Sequence, residues 1–386
     1  MIRSAVTAIL LLLSAISTHA QIGKTVAVNA GTPEDKALTE IYAAPDNPDK
    51  IALIDKFISD FGKGDLELLG EQLYVNTYLA QKNYAKVYEY GDKVLKLDPE
   101  NFPTAVSMVH AADEQADIAK LYSAGDRAVA IVARYKKIPA PEGMSAAAWE
   151  QQQAAVLKSA RSDMDYVESA LFNAAYKVQE PKPKAVYMER FAAMFPDSFF
   201  ATNAREQVAF AYEQAQNFPK MMEAAQAVLQ KDPANIDILL LLADYWSERG
   251  QQLDAALADA QKALDAIGKA KKPDAVSDED WTQQTSMQKG LSYTALGQIY
   301  VNKEQNPQAV AAFRQAGPLL KTNPTNYARN QYRLGFTLAK MKKIPEARAA
   351  LTEAASINSP YRDLAQQTLT KISGAGATSS AKKSSP

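Results

Sequence analysis

The chain repeats itself, and that narrows its possible folds more than composition does. Tyr90-Gly91-Asp92-Lys93-Val94-Leu95-Lys96-Leu97 aligns with Ala124-Gly125-Asp126-Arg127-Ala128-Val129-Ala130-Ile131 at a shift of 34 residues. Leu296-Gly297, Ala309, Phe313 and Ala316 align with Leu334-Gly335, Ala347, Leu351 and Ala354 at a shift of 38. Periods of this size mark solenoids of helix hairpins, in which a unit too small to bury its own apolar face stacks on its neighbours. A chain of 386 residues is also too long for one ordinary core.

The spacing inside a period has a physical reading. A small residue in the first helix of each hairpin, helix A, lets the second, helix B, come close; Val75, Val109, Ala209, Ala243, Gly297 and Gly335 hold this position. Three residues on, Tyr78, Ala112, Tyr212, Trp246, Tyr300 and Leu338 are placed to wedge between repeats. Helix B returns a face at i, i+4 and i+7, as in Ala309, Phe313 and Ala316. Pro99, Pro233 and Pro360 follow helix B, where a missing N–H ends one helix and prepares the next.

These residues resemble the tetratricopeptide repeat (TPR). Tyr293-x-x-Leu296-Gly297-x-x-Tyr300, then Ala309, Phe313 and Ala316, is similar to its consensus. Leu95-x-Leu97-Asp98-Pro99 and Leu229-x-x-Asp232-Pro233 resemble its closing element. The resemblance implies an all-α, right-handed superhelical solenoid of about six to eight hairpins across residues 32–373. It also implies that set positions of helix A line a concave groove that holds a peptide or helix of a partner protein. Transferred to this sequence, those positions give Asn76, His110, Glu206, Phe210, Glu213, Asp237, Asp244, Glu248 and Gln298. The last hairpin adds Arg329, Tyr332, Phe336 and Lys340. The middle of the groove is then acidic and its far end basic and aromatic, which predicts a partner segment of basic character. TPRs that clamp chaperone tails need a groove set of Lys, Arg and Asn. Only Asn76 is in place, so that activity is not implied.

A longer repeat lies above the short one. Residues 54–101 align without gaps to 188–235 at a constant shift of 134, with Phe57/Phe191, Tyr78/Tyr212, Asn83/Asn217, Asp98/Asp232, Pro99/Pro233 and Asn101/Asn235 among the identical pairs. Pro141, Ser145, Trp149, Gln151 and Gln152 match Pro273, Ser277, Trp281, Gln283 and Gln284 at a shift of 132. The array therefore reads as a duplicated three-hairpin block, 51–184 and 185–308, with a partial third copy. The Trp-x-Gln-Gln segments open two helices longer than a TPR helix A, 145–178 and 277–303. Ser277 with Asp280 fits a capping arrangement at the start of the second.

The ends are simpler. Arg3, the apolar stretch from Ala5 to Ile16 and Thr18-His19-Ala20 predict a signal peptide over residues 1–20, cleaved before Gln21. Gln21 is not a cysteine, so no lipid anchor is expected. Residues 21–31 read as a flexible leader and 374–386 as a disordered tail. The chain has no cysteine and no glycosylation sequon with a permitted middle residue, which favours a periplasmic or secreted location of bacterial type. No later run is apolar enough to predict a membrane span.

Composition removes other classes of function. Lys plus Arg (43) and Asp plus Glu (44) nearly cancel, leaving no basic field for nucleic acid. After cleavage the sole histidine is His110 and there is no thiol, so metal clusters and Cys/His or Ser/His triads lack parts. Asp278-Glu279-Asp280 follows a helix-start serine and reads as capping. No cofactor and no enzymatic activity are expected. The sequence points to a protein-interaction scaffold of the cell envelope. The alternative is a groove that captures a glycan or small solute.

Overall fold

The computed structural model describes residues 21–381, with side chains as far as Ser373. The expected signal peptide and residues 382–386 lie outside the described residues. The chain divides into two compact units between Ala204 and Arg205. Among the described residues every regular element is an α-helix.

The first unit holds α1 (Pro33–Ala43), α2 (Pro48–Phe61), α3 (Asp65–Ala80), α4 (Tyr84–Leu97), α5 (Phe102–Glu114), α6 (Ile118–Tyr135), α7 (Ala146–Ser159), α8 (Arg161–Lys177) and α9 (Pro181–Met194). Helix α10 (Ala201–Gln214) starts at its end. The second unit continues with α11 (Phe218–Lys231), α12 (Ile236–Arg249), α13 (Leu253–Lys269), α14 (Asp278–Asn302), α15 (Asn306–Leu320), α16 (Pro324–Lys340), α17 (Ile344–Ser356) and α18 (Arg362–Ala381). Within each unit, consecutive helices pair as antiparallel hairpins and neighbouring hairpins stack.

The hairpin turns fix the register. Asn83, Asp117, Asn217, Gln251, Gln305 and Lys343 each donate a backbone N–H to the carbonyl of a wedge residue, respectively Tyr78, Ala112, Tyr212, Trp246, Tyr300 and Leu338, at 2.8–3.1 Å. A left-handed residue makes this closure possible. Lys82 and Ala116, 34 positions apart, and Glu304 and Lys342, 38 apart, all carry positive φ. None of the four is glycine, so each turn holds a conformation that L-residues ordinarily avoid, at a cost of about 1 kcal/mol.

The small positions behave as their spacing predicts. Val75, Val109, Ala209 and Ala243 are buried. A Cβ on Gly335 would lie 2.6 Å from Leu351 Cγ and 3.1 Å from the Ala347 carbonyl oxygen. One on Gly297 would run into the Phe313 ring. Helix starts are capped by side chains: Asn101 accepts the Thr104 N–H, Asn235 that of Ile238, Ser145 that of Ala148 and Ser277 that of Asp280.

Three segments depart from the sequence reading. Residues 21–31 are not a loose leader: Ile22 is 1% exposed, and Val28 packs on the cluster of Leu38, Ile41, Ile54, Phe57, Leu73 and Tyr74. The long helix expected over 145–178 is interrupted at Ala160, whose φ of −78° and ψ of −5° end α7 and start α8. The two halves answer to different neighbours. In α7, Trp149 Nε1 donates to the Ile138 carbonyl at 2.8 Å and the Gln153 amide to that of Tyr135 at 2.7 Å. In α8, Leu171 fills the space left by Gly125 of α6. Its counterpart α14 does run unbroken for 25 residues. At the C-terminus α18 extends to Ala381, into the segment expected to be disordered. No proline interrupts it, and extending an existing helix costs far less than nucleating one.

Candidate functional site

The predicted groove residues all fall on helix A of their hairpins: Asn76 on α3, His110 on α5, Glu206, Phe210 and Glu213 on α10, and Asp237, Asp244 and Glu248 on α12. Gln298 lies on α14, and Arg329, Tyr332, Phe336 and Lys340 lie on α16. Sharing a helix face does not make them equivalent.

In the first unit the face is already in use. Asn76, with Gln72, Leu69, Asn101 and Thr104, lines a cavity of about 310 Å³ whose other wall is Gln21, Thr25 and Val26 of the leader. His110 stacks on Tyr166 of α8, with ring centroids 3.9 Å apart. The Tyr166 hydroxyl donates to Asp113 Oδ2 at 2.8 Å, and burial with this carboxylate pushes its pKa up. His110 therefore has one ring face taken by the chain itself, a correction to its reading as an open groove residue. The cause is α8, which packs along α5 and α6.

In the second unit the acidic and basic stretches meet instead of facing a partner separately. Arg329 pairs with both Asp244 and Glu248, and Arg333 pairs with Glu248. The arginine side chains are only 13% and 8% exposed, while Asp244 and Glu248 keep a solvent-facing side, so the pairs are half sheltered. Burial opposes the Arg329 charge, yet Asp244, Tyr361 and Glu213 leave its pKa above the ordinary value. Arg333 is held below its ordinary value, chiefly by burial. Asp244 and Glu248 are thus neutralised from within.

The carboxylates at the other end differ. Glu206 Oε1 accepts the Asn235 amide at 2.7 Å, and Asp237 Oδ1 accepts the Gln288 amide at 2.9 Å. Burial, with Asp237 and Asp232 nearby, pushes the Glu206 carboxyl up from its ordinary value. Glu213 is raised as well, by burial and by Asp244, against the pull of Arg329 and Arg249.

Four of the predicted residues converge. Glu248, Gln298, Tyr332 and Phe336 line one cavity of about 300 Å³ together with Val301, Arg333, Thr337, Tyr361 and Leu364. Phe336 is 43% exposed at its edge. Phe210 is half-buried and Lys340 exposed; neither lines this cavity. The transferred register misses Arg333, although its position four after Arg329 places both on one helix face. Tyr361 and Leu364 come from α18 and the turn before it, and no groove position of the repeat points there.

The six equivalent hairpin turns, the glycines against Phe313 and Leu351, and the helix-A face decide the architecture. These hairpins resemble the tetratricopeptide repeat in their packing as they do in their sequence. No family model and no curated protein matches the chain. Among solved structures it is similar to a double mutant of MamA (14% identity, 49% of this chain and 93% of that one, TM-score 0.36). It is similar also to NprR in complex with its cognate peptide NprX (17% identity, 66% of each chain, TM-score 0.36). A third is the Cut9–Hcn1 hetero-tetramer (15% identity, 88% of this chain and 55% of that one, TM-score 0.40).

The helix-A face of the second unit offers a cavity of mixed polar and apolar lining beside the exposed Phe336, with the carboxylates of Glu206 and Asp237 at the other end. Among the described residues no group of three or more His, Cys, Asp or Glu side chains is placed to hold a metal. No helix among them is long and apolar enough to cross a membrane.

Proposed function

We propose that this protein is an interaction module of the cell envelope that holds an extended or helical segment of a partner protein along the helix-A face of its second unit. The observation that carries this reading is the convergence of Glu248, Gln298, Tyr332 and Phe336, four residues from three different hairpins, around one cavity. A solvated face with no task would not be expected to gather an exposed Phe and a half-buried Tyr beside sheltered arginines. The partner segment is basic where it passes α10 and α12, because Glu206 and Asp237 set two carboxylates on that face, each accepting an amide hydrogen bond. The envelope assignment rests on the signal-peptide pattern of residues 1–20. In the native host, the protein recovered from the envelope fraction is expected to begin at or near Gln21.

A photo-reactive amino acid placed at Phe336 tests the face. It is expected to capture one discrete partner in the native host, whereas the same group at Lys262, exposed on α13, captures none. Equal capture at the two positions would remove the helix-A face from consideration.

A further inference from the structure

The duplication supplies a template for what the open face takes, given the reading above that this face holds a partner segment. In the first block the turn between α4 and α5 is a docking site already filled by the leader. Phe102, the first residue of α5, donates its N–H to the Ile22 carbonyl at 3.3 Å. Asp98 Oδ2 accepts the Lys24 N–H at 2.8 Å and the Asn101 amide at 3.0 Å. The Lys24 ammonium reaches the Leu97 carbonyl at 3.3 Å. Between them Gly23 has φ +113°, and a Cβ there would lie 2.9 Å from the Glu100 carbonyl oxygen and 3.0 Å from Asn101 Cα. The site thus selects a branched apolar residue, then glycine, then a lysine whose backbone N–H meets a carboxylate.

At the shift of 134, Asp98, Asn101 and Phe102 become Asp232, Asn235 and Ile236. The second turn has the same construction. Asp98 has φ −140° and ψ 90°, Asp232 φ −129° and ψ 88°. In both, the Asn donates its backbone N–H to the Asp carbonyl at 3.1 Å. Each Asp accepts a second backbone N–H two residues on, from Glu100 at 3.3 Å and Ala234 at 3.1 Å. Coverage is what differs. Asp98 and Phe102 are 3% and 2% exposed, whereas Asp232 is exposed and Ile236 half-buried. Beside the turn, Gln72 and Pro103 of the first block are replaced by Glu206 and Asp237. The second copy therefore keeps the geometry and, with Ala234 in place of Glu100, exchanges one carboxylate for two.

We propose that the Asp232–Ile236 turn, flanked by Glu206 and Asp237, docks an extended segment of a partner protein. In that segment a branched apolar residue is followed by glycine and lysine, the pattern that Ile22, Gly23 and Lys24 present to the first block. The added carboxylates favour further Lys or Arg beside the glycine and speed encounter with a cationic segment.

The probe is the decapeptide of residues 21–30, labelled at its C-terminus and titrated with the chain beginning at Gln21. There the first site is filled in cis, and a free peptide reports on the second. Saturable binding is expected, weakened about tenfold or more by Asp232→Asn with Glu206→Gln, and equally by a valine at the glycine of the peptide. Helicity and melting of the double variant should match the parent. Unchanged affinity in the double variant overturns the proposal. So does binding that appears only when Asp98→Asn loosens the leader, since the peptide then enters the first site. Concentration-dependent self-association that the peptide abolishes would make a second copy the occupant, and would overturn a separate partner. If the peptide does not bind while Phe336 still captures a partner, the docking motif fails and the interaction reading stands.

Discussion

The first and second blocks share a turn, a cap and a helix start, and they differ in what lies across them. At Asp98 the leader covers the turn and Ile22 is sealed from solvent; at Asp232 the same backbone stands open. A repeat scaffold therefore does not fix its own binding state. One copy has its face occupied by residues 21–26 of its own chain, and the copy that lacks such a cover is the one to examine for a partner.

The contrast breaks most readily at Ile22. Ile22→Ala removes a fully buried side chain and is expected to cost the first unit about 2–3 kcal/mol, the low end for such truncations because a terminal segment can readjust. Ile236→Ala, at a half-buried position, should cost about 1 kcal/mol. Amide exchange resolved by peptide checks both. The first variant should lose protection across residues 21–31 and 98–104, the second only locally. Similar losses at both positions would mean that the leader is not a cover.

Gly23 is the next lever. A valine there meets positive φ and backbone atoms at about 3 Å, and is expected to cost about 2 kcal/mol. The urea midpoint should fall, with a small drop in slope if the leader simply leaves, because less surface is then left to expose on unfolding. An unchanged midpoint would show that residues 21–24 contribute nothing to the first unit.

Much of this architecture was legible. The 34- and 38-residue periods located the hairpins, and the wedge residues Tyr78, Tyr300 and Leu338 proved to be the acceptors that close the turns. The left-handed residues themselves gave no signal, because Lys82, Ala116, Glu304 and Lys342 occupy positions where glycine would have announced the conformation. The leader was misread for a related reason. Its Gly, Thr, Asn and Ala content describes a loose chain, and Asp98-Pro99 is fully accounted for by the repeat consensus without any docked segment. The pairing of Arg329 with Asp244 joins residues far apart in sequence, and only the stacking of hairpins brings them together. The acidic face that the register predicted thereby loses Asp244 and Glu248 to internal pairing and keeps Glu206, Glu213 and Asp237. Reversing Asp244 to lysine would break its pair with the buried Arg329 and would not test a partner.

The two aspartates sharpen the comparison further. Asp98→Asn removes the charge that receives the Lys24 N–H in a buried setting, and is expected to cost about 1–2 kcal/mol. Asp232→Asn should change the free chain by less than about 0.5 kcal/mol, because its carboxylate is exposed. Thermal melts of the two single variants and the double variant provide the check, and the two effects should add. A cost at Asp232 equal to that at Asp98 would mean that the second turn is also covered.

The smallest effect is expected at Glu206, where the second block carries a carboxyl and the first has Gln72. Burial, reinforced by Asp237 and Asp232, raises the Glu206 pKa above its unfolded value, although the Asn235 amide pulls the other way. The folded chain therefore holds that proton more tightly than the unfolded chain does. The favourable contribution is complete below the unfolded pKa and is lost as pH rises through the folded one. Near pH ~7 the ionised carboxylate is the costly form, and Glu206→Gln removes that charge while keeping an oxygen to accept from Asn235. The gain should be no more than about 0.5 kcal/mol, since the group retains a solvent-facing side. It should shrink towards zero as pH falls to about 4. Gln72→Glu, the reciprocal change, should cost a similar amount near neutrality and nothing in acid. Paired denaturation curves at the two pH values decide the matter. A Glu206→Gln variant that is less stable at neutral pH would show that Glu206 is already offset by a cation, and the open face would lose its claim to a basic segment.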